Sequence, residues 1–149
     1  MYTAAILTPN SSGLLRYAAM AAHLEVEGFG FKPDYPHHMT INLGCIDEDL
    51  NVAEVVGQTA RLHVKRFGWC DRLGVCAAEV FKAEVEMKEF PVKFWQELSS
   101  FNEHPHITMC VRSGVPPRLS NDMLKNGPYE WIELDQTYML DAVVEEVNQ

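Results

Sequence analysis

The chain has 149 residues, 47% of them hydrophobic and 22% charged, which is typical of one globular domain with its own core. The formal net charge of −9 argues against an extended nucleic-acid surface, because such surfaces carry a basic stripe. The sequence has no apolar run of membrane-spanning length, and its first residues lack the basic start of a signal peptide. We therefore expect a single cytoplasmic domain over residues 1–149 without a membrane partner.

The first half of the chain predicts a strand, a helix and a second strand, separated by segments rich in Gly, Pro and polar residues. The predicted elements are a strand over 2–8, a turn with an N-cap over 9–12, a helix over 13–24, a loop over 25–36, a strand over 37–43, an acidic turn over 44–49 and one helical turn over 51–56.

The second half predicts a long hairpin, a helix, a strand, a short helix and two closing strands. The hairpin is expected from its alternating arms and from Asp71 and Gly74 at the turn. The arms cover 59–69 and 75–87, and the first helix covers 91–101. Pro116, Pro117 and Ser120 lead into a short second helix that ends near Gly127. The remaining strands cover 105–112, 130–134 and 137–147.

Two of these strands carry the same short pattern, His-Met-Thr-Ile at residues 38–41 and His-Ile-Thr-Met at residues 106–109. Side chains two apart on a strand point the same way, so each His and its Thr share one face. Each pattern also follows a predicted strand and helix, which predicts two pseudo-symmetric lobes with the histidines facing across a cleft. The alternative is two ordinary strands that each carry a half-buried histidine.

Two imidazoles and two hydroxyls around one anion are sufficient for acid–base chemistry at a phosphate. Neutral and protonated imidazole can accept and donate protons near pH 7, and hydroxyls can donate to oxygens on which charge develops. Acidic metal-ligand clusters do not accompany the two patterns, and the four cysteines have no Cys-x-x-Cys spacing. We expect neither a metal nor a cofactor, and the apolar neighbours of Cys76 and Cys110 predict small, reduced core residues.

With these two motifs the chain resembles the 2H phosphoesterase superfamily, which includes cyclic phosphodiesterases, the phosphodiesterase domain of fungal tRNA ligases and viral enzymes that degrade oligonucleotide messengers. The resemblance implies an α+β fold of two antiparallel-sheet lobes with outer helices and a central cleft. It also implies hydrolysis of a phosphodiester, with His38 and His106 as the acid–base pair and Thr40 and Thr108 holding the phosphate. It does not assign which histidine is the acid.

Further candidates flank the motifs. Strand alternation turns His37 away from His38, whereas His104 and Arg112 share the parity of His106 and are candidates for substrate contacts. Aromatic residues near the motifs could stack on a base, although aromatic side chains more often belong to the core. The aromatic candidates are Phe31, Tyr35 and Trp69. The basic residues Arg61, Lys65, Arg66 and Arg72 indicate either a small local site or a solvated strand face.

Three functions are consistent with the sequence. The first is a phosphodiesterase for 2′,3′-cyclic phosphates of RNA ends or small nucleotides. The second is a hydrolase of cyclic or 2′,5′-linked oligonucleotide messengers. The third is a non-catalytic nucleotide- or RNA-binding module, or a metal protein that uses the histidines near both motifs. The acidic charge favours a small nucleotide or short RNA end over a long duplex, and we expect a monomer.

Overall fold

A computed structural model describes residues 2–21, 29–30, 36–43, 52–89, 92–98, 100, 103–127 and 129–148. Antiparallel strands dominate this part of the chain and helices accompany them, so the predicted α+β class is confirmed. The strands are β1 (Tyr2–Leu7), β2 (Phe29–Gly30), β3 (His38–Leu43), β4 (Thr59–Cys70), β5 (Val75–Glu89), β6 (Val92–Glu97), β7 (His106–Arg112) and β8 (Glu130–Val147). The helices are α1 (Pro9–Ala21), α2 (Val52–Val55) and α3 (Leu119–Asn126).

Six strands close into a ring in the order β7, β3, β1, β8, β4, β5 and back to β7. Strands β2 and β6 lie outside the ring, beside β7 and β5 respectively. The ring closes because β7 pairs with β3 on one edge and with β5 on the other, so the two motif strands are direct neighbours. Each motif strand has one further neighbour in the ring on its other side: β1 lies beside β3, and β5 lies beside β7. The division into two pseudo-symmetric lobes stays a prediction.

The main core takes buried side chains from all six strands of this ring. Met39 and Ile107 belong to it and are fully buried, and α1 adds Leu15 and Ala18 to the same cluster. A smaller cluster forms where α3 packs against the other side of β5 and β7. Cys76 and Cys110 are buried in the main core, as the sequence predicted. The structure also places them opposite each other on β5 and β7.

The two motif strands meet their outer neighbours in the same register. In each pair the register shifts immediately after the motif threonine, where one extra residue, Ile41 or Met109, has no partner in the neighbouring strand. Such a β-bulge bends the strand and reverses which face the following residues occupy. The matched pairs are Ala4–Thr40, Ala5–Met39 and Ile6–His38 on one side, and Ala77–Thr108, Ala78–Ile107 and Glu79–His106 on the other.

The helix predicted over residues 91–101 is wrong, because residues 92–97 form strand β6. Strand β5 continues well beyond the part that pairs with β7, and β6 pairs with this remaining edge. The open edge of β5 offers hydrogen-bond partners to the backbone of residues 92–97. These hydrogen bonds outweigh the weak helical periodicity of the segment. Trp95, which the helix would have packed inward, instead lies under the Arg61 guanidinium at 3.8 Å.

Two further elements differ from their predicted bounds. The predicted closing strands form one continuous strand, β8, whose register against β4 slips between Tyr138 and Glu133. The turn-like residues between them are therefore absorbed in a bulge. Helix α1 begins at Pro9 rather than 13, because the Thr8 hydroxyl accepts a hydrogen bond from Ser11 N at 3.3 Å and caps the helix. Residues 22–24 of the predicted helix lie outside the described residues.

The β4–β5 hairpin forms as predicted, and Gly74 ends its turn with a φ of 74°. A side chain at this left-handed position would be strained, which explains the glycine. Within the described ranges, no helix is long and apolar enough to cross a membrane.

We expect the substitution Ile107→Ala to lower the free energy of unfolding by about 2–5 kcal/mol, because it leaves a cavity in the main core. Urea unfolding followed by circular dichroism measures this loss. The matched control is Met139→Ala on β8, where the side chain is 50% exposed and the expected change is within about 0.5 kcal/mol. Equal losses in both variants would contradict the assignment of Ile107 to the core.

Candidate active site

The site follows from one register pair, Met39 with Ile107 in the antiparallel ladder of β3 and β7. This pair places His38 across from Thr108 and Thr40 across from His106, all on the face opposite the core. Side chains directly opposite in such a ladder have Cβ atoms about 4.5–5.5 Å apart. The predicted residues therefore form a compact group, which we call the quartet: His38, Thr40, His106 and Thr108.

Each member of the quartet is half-buried, while the residues between and after them are fully buried. Met39 and Ile41 alternate inward on β3, as do Ile107 and Met109 on β7. The apolar residues of the motifs thus anchor both strands in the core. This anchoring fixes which face carries the imidazoles and hydroxyls.

The Nδ1 atom of His106 lies 2.8 Å from the backbone oxygen of His104. A carbonyl oxygen can only accept, so Nδ1 carries the hydrogen and donates it. In the neutral ring Nε2 is then unprotonated and can accept a proton. This hydrogen bond to the backbone therefore leaves Nε2 as the ring nitrogen of His106 that can accept a proton.

The surroundings of His38 are different. Its Nδ1 lies 2.9 Å from Nδ1 of His37, and the two rings meet edge to face. The ring of Tyr2 lies 5.4 Å from the His38 ring, centroid to centroid. The prediction that His37 turns away from His38 is wrong, because β3 begins at His38 and strand alternation does not extend to His37.

Both quartet histidines favour the neutral form. The pKa of His38 is lowered to about 4, chiefly by burial and then by the neighbouring His37 and His106. Burial also lowers the pKa of His106, although its bond to the His104 carbonyl acts in the opposite sense. An anion between the two rings would raise both pKa values, because it stabilises imidazolium.

The hydroxyl of Thr108 has a buried partner. Its Oγ1 lies 2.9 Å from Oγ of Ser120, which is fully buried at the start of α3. On the other motif strand, the Ser100 hydroxyl donates to the Thr40 carbonyl at 2.9 Å. Contacts from outside the two ladders thus tie both threonine positions to the rest of the fold.

The structure brings together few of the other predicted substrate-contacting residues. Trp69 packs against the main core rather than on the quartet face. The bulge at Met109 reverses the strand faces, so the parity argument for Arg112 does not hold, and Arg112 lies beside Gly74. His104 contributes its backbone oxygen to His106. Phe31 and Tyr35 lie outside the described residues.

Among the described residues, sequence reasoning missed four that contact the quartet: Tyr2, His37, Ser100 and Ser120. Tyr2 and Ser120 are far from the motifs in sequence, so only knowledge of strand pairing and of the position of α3 could have found them. The signal for His37 was its position beside His38, together with Pro36, which interrupts the strand.

Groups of three or more His, Cys, Asp or Glu side chains suited to a metal ion do not occur among the residues with described positions.

Among curated proteins, none matched the chain.

Residues 35–148 match the family described as fungal tRNA ligase phosphodiesterase domain. The matched range includes both motif strands and the ring strands between them. The chain therefore belongs to this family of 2H phosphoesterase-type domains.

Proposed function

We propose that this protein is a metal-independent phosphodiesterase that hydrolyses 2′,3′-cyclic phosphates of RNA ends or small nucleotides. Family membership supports a phosphodiesterase acting on cyclic phosphates. The observation that carries the proposal further is the antiparallel pairing of the two motifs, which gathers two imidazoles and two hydroxyls on one half-buried face. The net charge of −9 favours a compact ligand over a long polyanion.

In the proposed reaction, one quartet histidine takes a proton from water, and the water oxygen attacks phosphorus. The bond from phosphorus to one ribose oxygen breaks, and the other histidine gives that oxygen a proton. The hydroxyls of Thr40 and Thr108 donate to the non-bridging oxygens, where negative charge increases in the transition state. Each positioned acid or base contributes a rate factor of roughly 10²–10⁴.

Activity on a substrate panel tests this function. The panel contains 2′,3′-cyclic mononucleotides, short RNAs with a 2′,3′-cyclic phosphate end, cyclic dinucleotides and 2′,5′-linked oligonucleotides, each with and without EDTA. We expect cleavage of the first two classes, unchanged by EDTA. Cleavage of the last two classes only would replace the substrate proposal, and loss of activity with EDTA would refute the metal-independent mechanism.

We expect His38→Ala and His106→Ala each to lower kcat by roughly 10²–10⁴-fold on the positive substrate, because each removes one proton-transfer group. The matched control is His63→Asn, since His63 pairs with Glu84 at 2.7 Å on β4 and β5, outside the quartet. Steady-state kinetics on folded variants measures the effect. Full activity in either quartet variant would contradict its catalytic assignment.

The dependence of kcat/KM on pH should show an acid limb below pH 6.5. The base must be neutral, and burial lowers the pKa of both candidate histidines from the usual 6.5, so the base is lost only at lower pH. Bound phosphate raises these pKa values, so the acid limb of kcat should lie at higher pH than that of kcat/KM. Initial rates between pH 4 and 9 measure both limbs, and an acid limb above pH 7 in kcat/KM would contradict the neutral resting state.

We expect Ser120→Ala to lower kcat about 3- to 10-fold, because the Thr108 hydroxyl loses the buried partner that orients it. The free energy of unfolding should fall by about 1 kcal/mol. Ser113→Ala, at an exposed position after β7, is the control. Wild-type kcat in a folded Ser120→Ala protein would show that this contact does not prepare Thr108 for catalysis.

A further inference from the structure

We propose that His37 supplies the catalytic proton through His38: His37 donates from Nδ1 to Nδ1 of His38, while His38 donates from Nε2 to the leaving oxygen. This inference rests on the proposed function and extends it to a third histidine. It also assigns His38 as the general acid and His106 as the general base. Because His37 acts through His38, it is a positioning residue rather than a catalytic one.

The position of His37 is fixed by contacts from two other elements. The backbone oxygen of His37 accepts a hydrogen bond from Leu7 N of β1 at 2.9 Å. The oxygen of the preceding Pro36 accepts one from the Ser12 hydroxyl of α1 at 2.6 Å. These bonds hold the residue before β3 in place, so the 2.9 Å contact between the two Nδ1 atoms is supported by the surrounding fold.

The direction of the hydrogen bond follows from the other half of the site. His106 already presents an unprotonated Nε2, because its Nδ1 hydrogen is donated to a carbonyl. Hydrolysis needs one proton acceptor and one donor. If His37 donates to His38 Nδ1, the neutral His38 keeps its proton on Nε2 and supplies that donor. If His38 instead donated to His37, the Nε2 atoms of His38 and His106 would both be proton acceptors. Neither neutral ring could then give a proton to the leaving oxygen of the phosphate.

The relay also explains which histidine holds the positive charge before the reaction. Burial and the neighbouring His37 and His106 lower the pKa of His38 to about 4, so His38 in the free protein is mainly neutral near pH 7 and is a poor source of an imidazolium proton. His37 is exposed, and water can stabilise its positive charge. When the phosphorus–oxygen bond breaks, His38 passes its Nε2 proton to the oxygen and receives one at Nδ1. His37 imidazolium becomes neutral, and His106 keeps the proton from water.

Few other titratable groups face this pair within the described ranges. Tyr2 approaches the His38 ring from β1, and His106 faces it from β7. Helix α1 reaches the preceding residue through the Ser12 hydroxyl, which does not titrate in this range. Tyr2 and His106 are therefore the groups whose ionisation must be separated from that of His37 in any pH profile.

Kinetics of His37→Asn and His37→Ala test the relay. Asparagine can still donate to His38 Nδ1 but cannot release a proton. We expect kcat/KM of His37→Asn to fall about tenfold or more at pH 7, and its alkaline limb to move to lower pH, so that the loss narrows near pH 5. His63→Asn is the matched control, and circular dichroism checks folding. An unshifted alkaline limb, or an equal loss at every pH in both variants, would overturn the relay.

Nitrogen-15 NMR of the imidazole rings tests the hydrogen bond without any substrate. At pH 7 we expect the His38 proton on Nε2 and the His106 proton on Nδ1, and we expect His37→Ala to give His38 a mixture of tautomers. A wild-type His38 proton on Nδ1 would refute the inferred direction. If the protein cleaves no cyclic phosphate, the proposed function fails, and the NMR result still decides the direction of the bond.

Discussion

The antiparallel pairing of Met39 with Ile107 is the constraint on which the site depends. Both side chains are fully buried, so the hydrophobic effect that assembles the core also holds the two motif strands in register. A slip by one residue would turn the histidines inward and the apolar residues outward, at a large cost in free energy. Stability and site geometry are therefore determined by the same contacts.

Burial also affects the charge of the histidines on the quartet face. The imidazoles of His38 and His106 are removed from water, so imidazolium is disfavoured at both until an anion arrives. A bound anion would counteract this effect and raise the pKa of each ring, because it stabilises imidazolium. Each Nδ1 atom nevertheless has a hydrogen-bond partner, and the two partners differ, since one is a carbonyl and the other an imidazole. Without a ligand, the two quartet histidines therefore differ in the chemistry of their hydrogen-bond partners.

The sequence was sufficient to place each motif histidine and its threonine on one face of a strand, because that spacing depends only on local strand geometry. It was not sufficient for residues whose environment is set by tertiary pairing. Strand β6 forms because β5 offers an open edge, and the bulge after Thr108 moves Arg112 away from the expected face. Ser120 reaches Thr108 only because α3 packs on that side of β7.

The matched registers of β1 against β3 and of β5 against β7 give the two histidines equivalent backbone settings with different neighbours. Ile6 lies beside His38, whereas Glu79 lies beside His106 and is held by Arg66 and the Tyr129 hydroxyl. The two ends of the quartet face are therefore unequal, with an apolar residue opposite one histidine and a charged residue opposite the other. On the proposed function, this inequality would give the two orientations of an asymmetric phosphodiester different free energies.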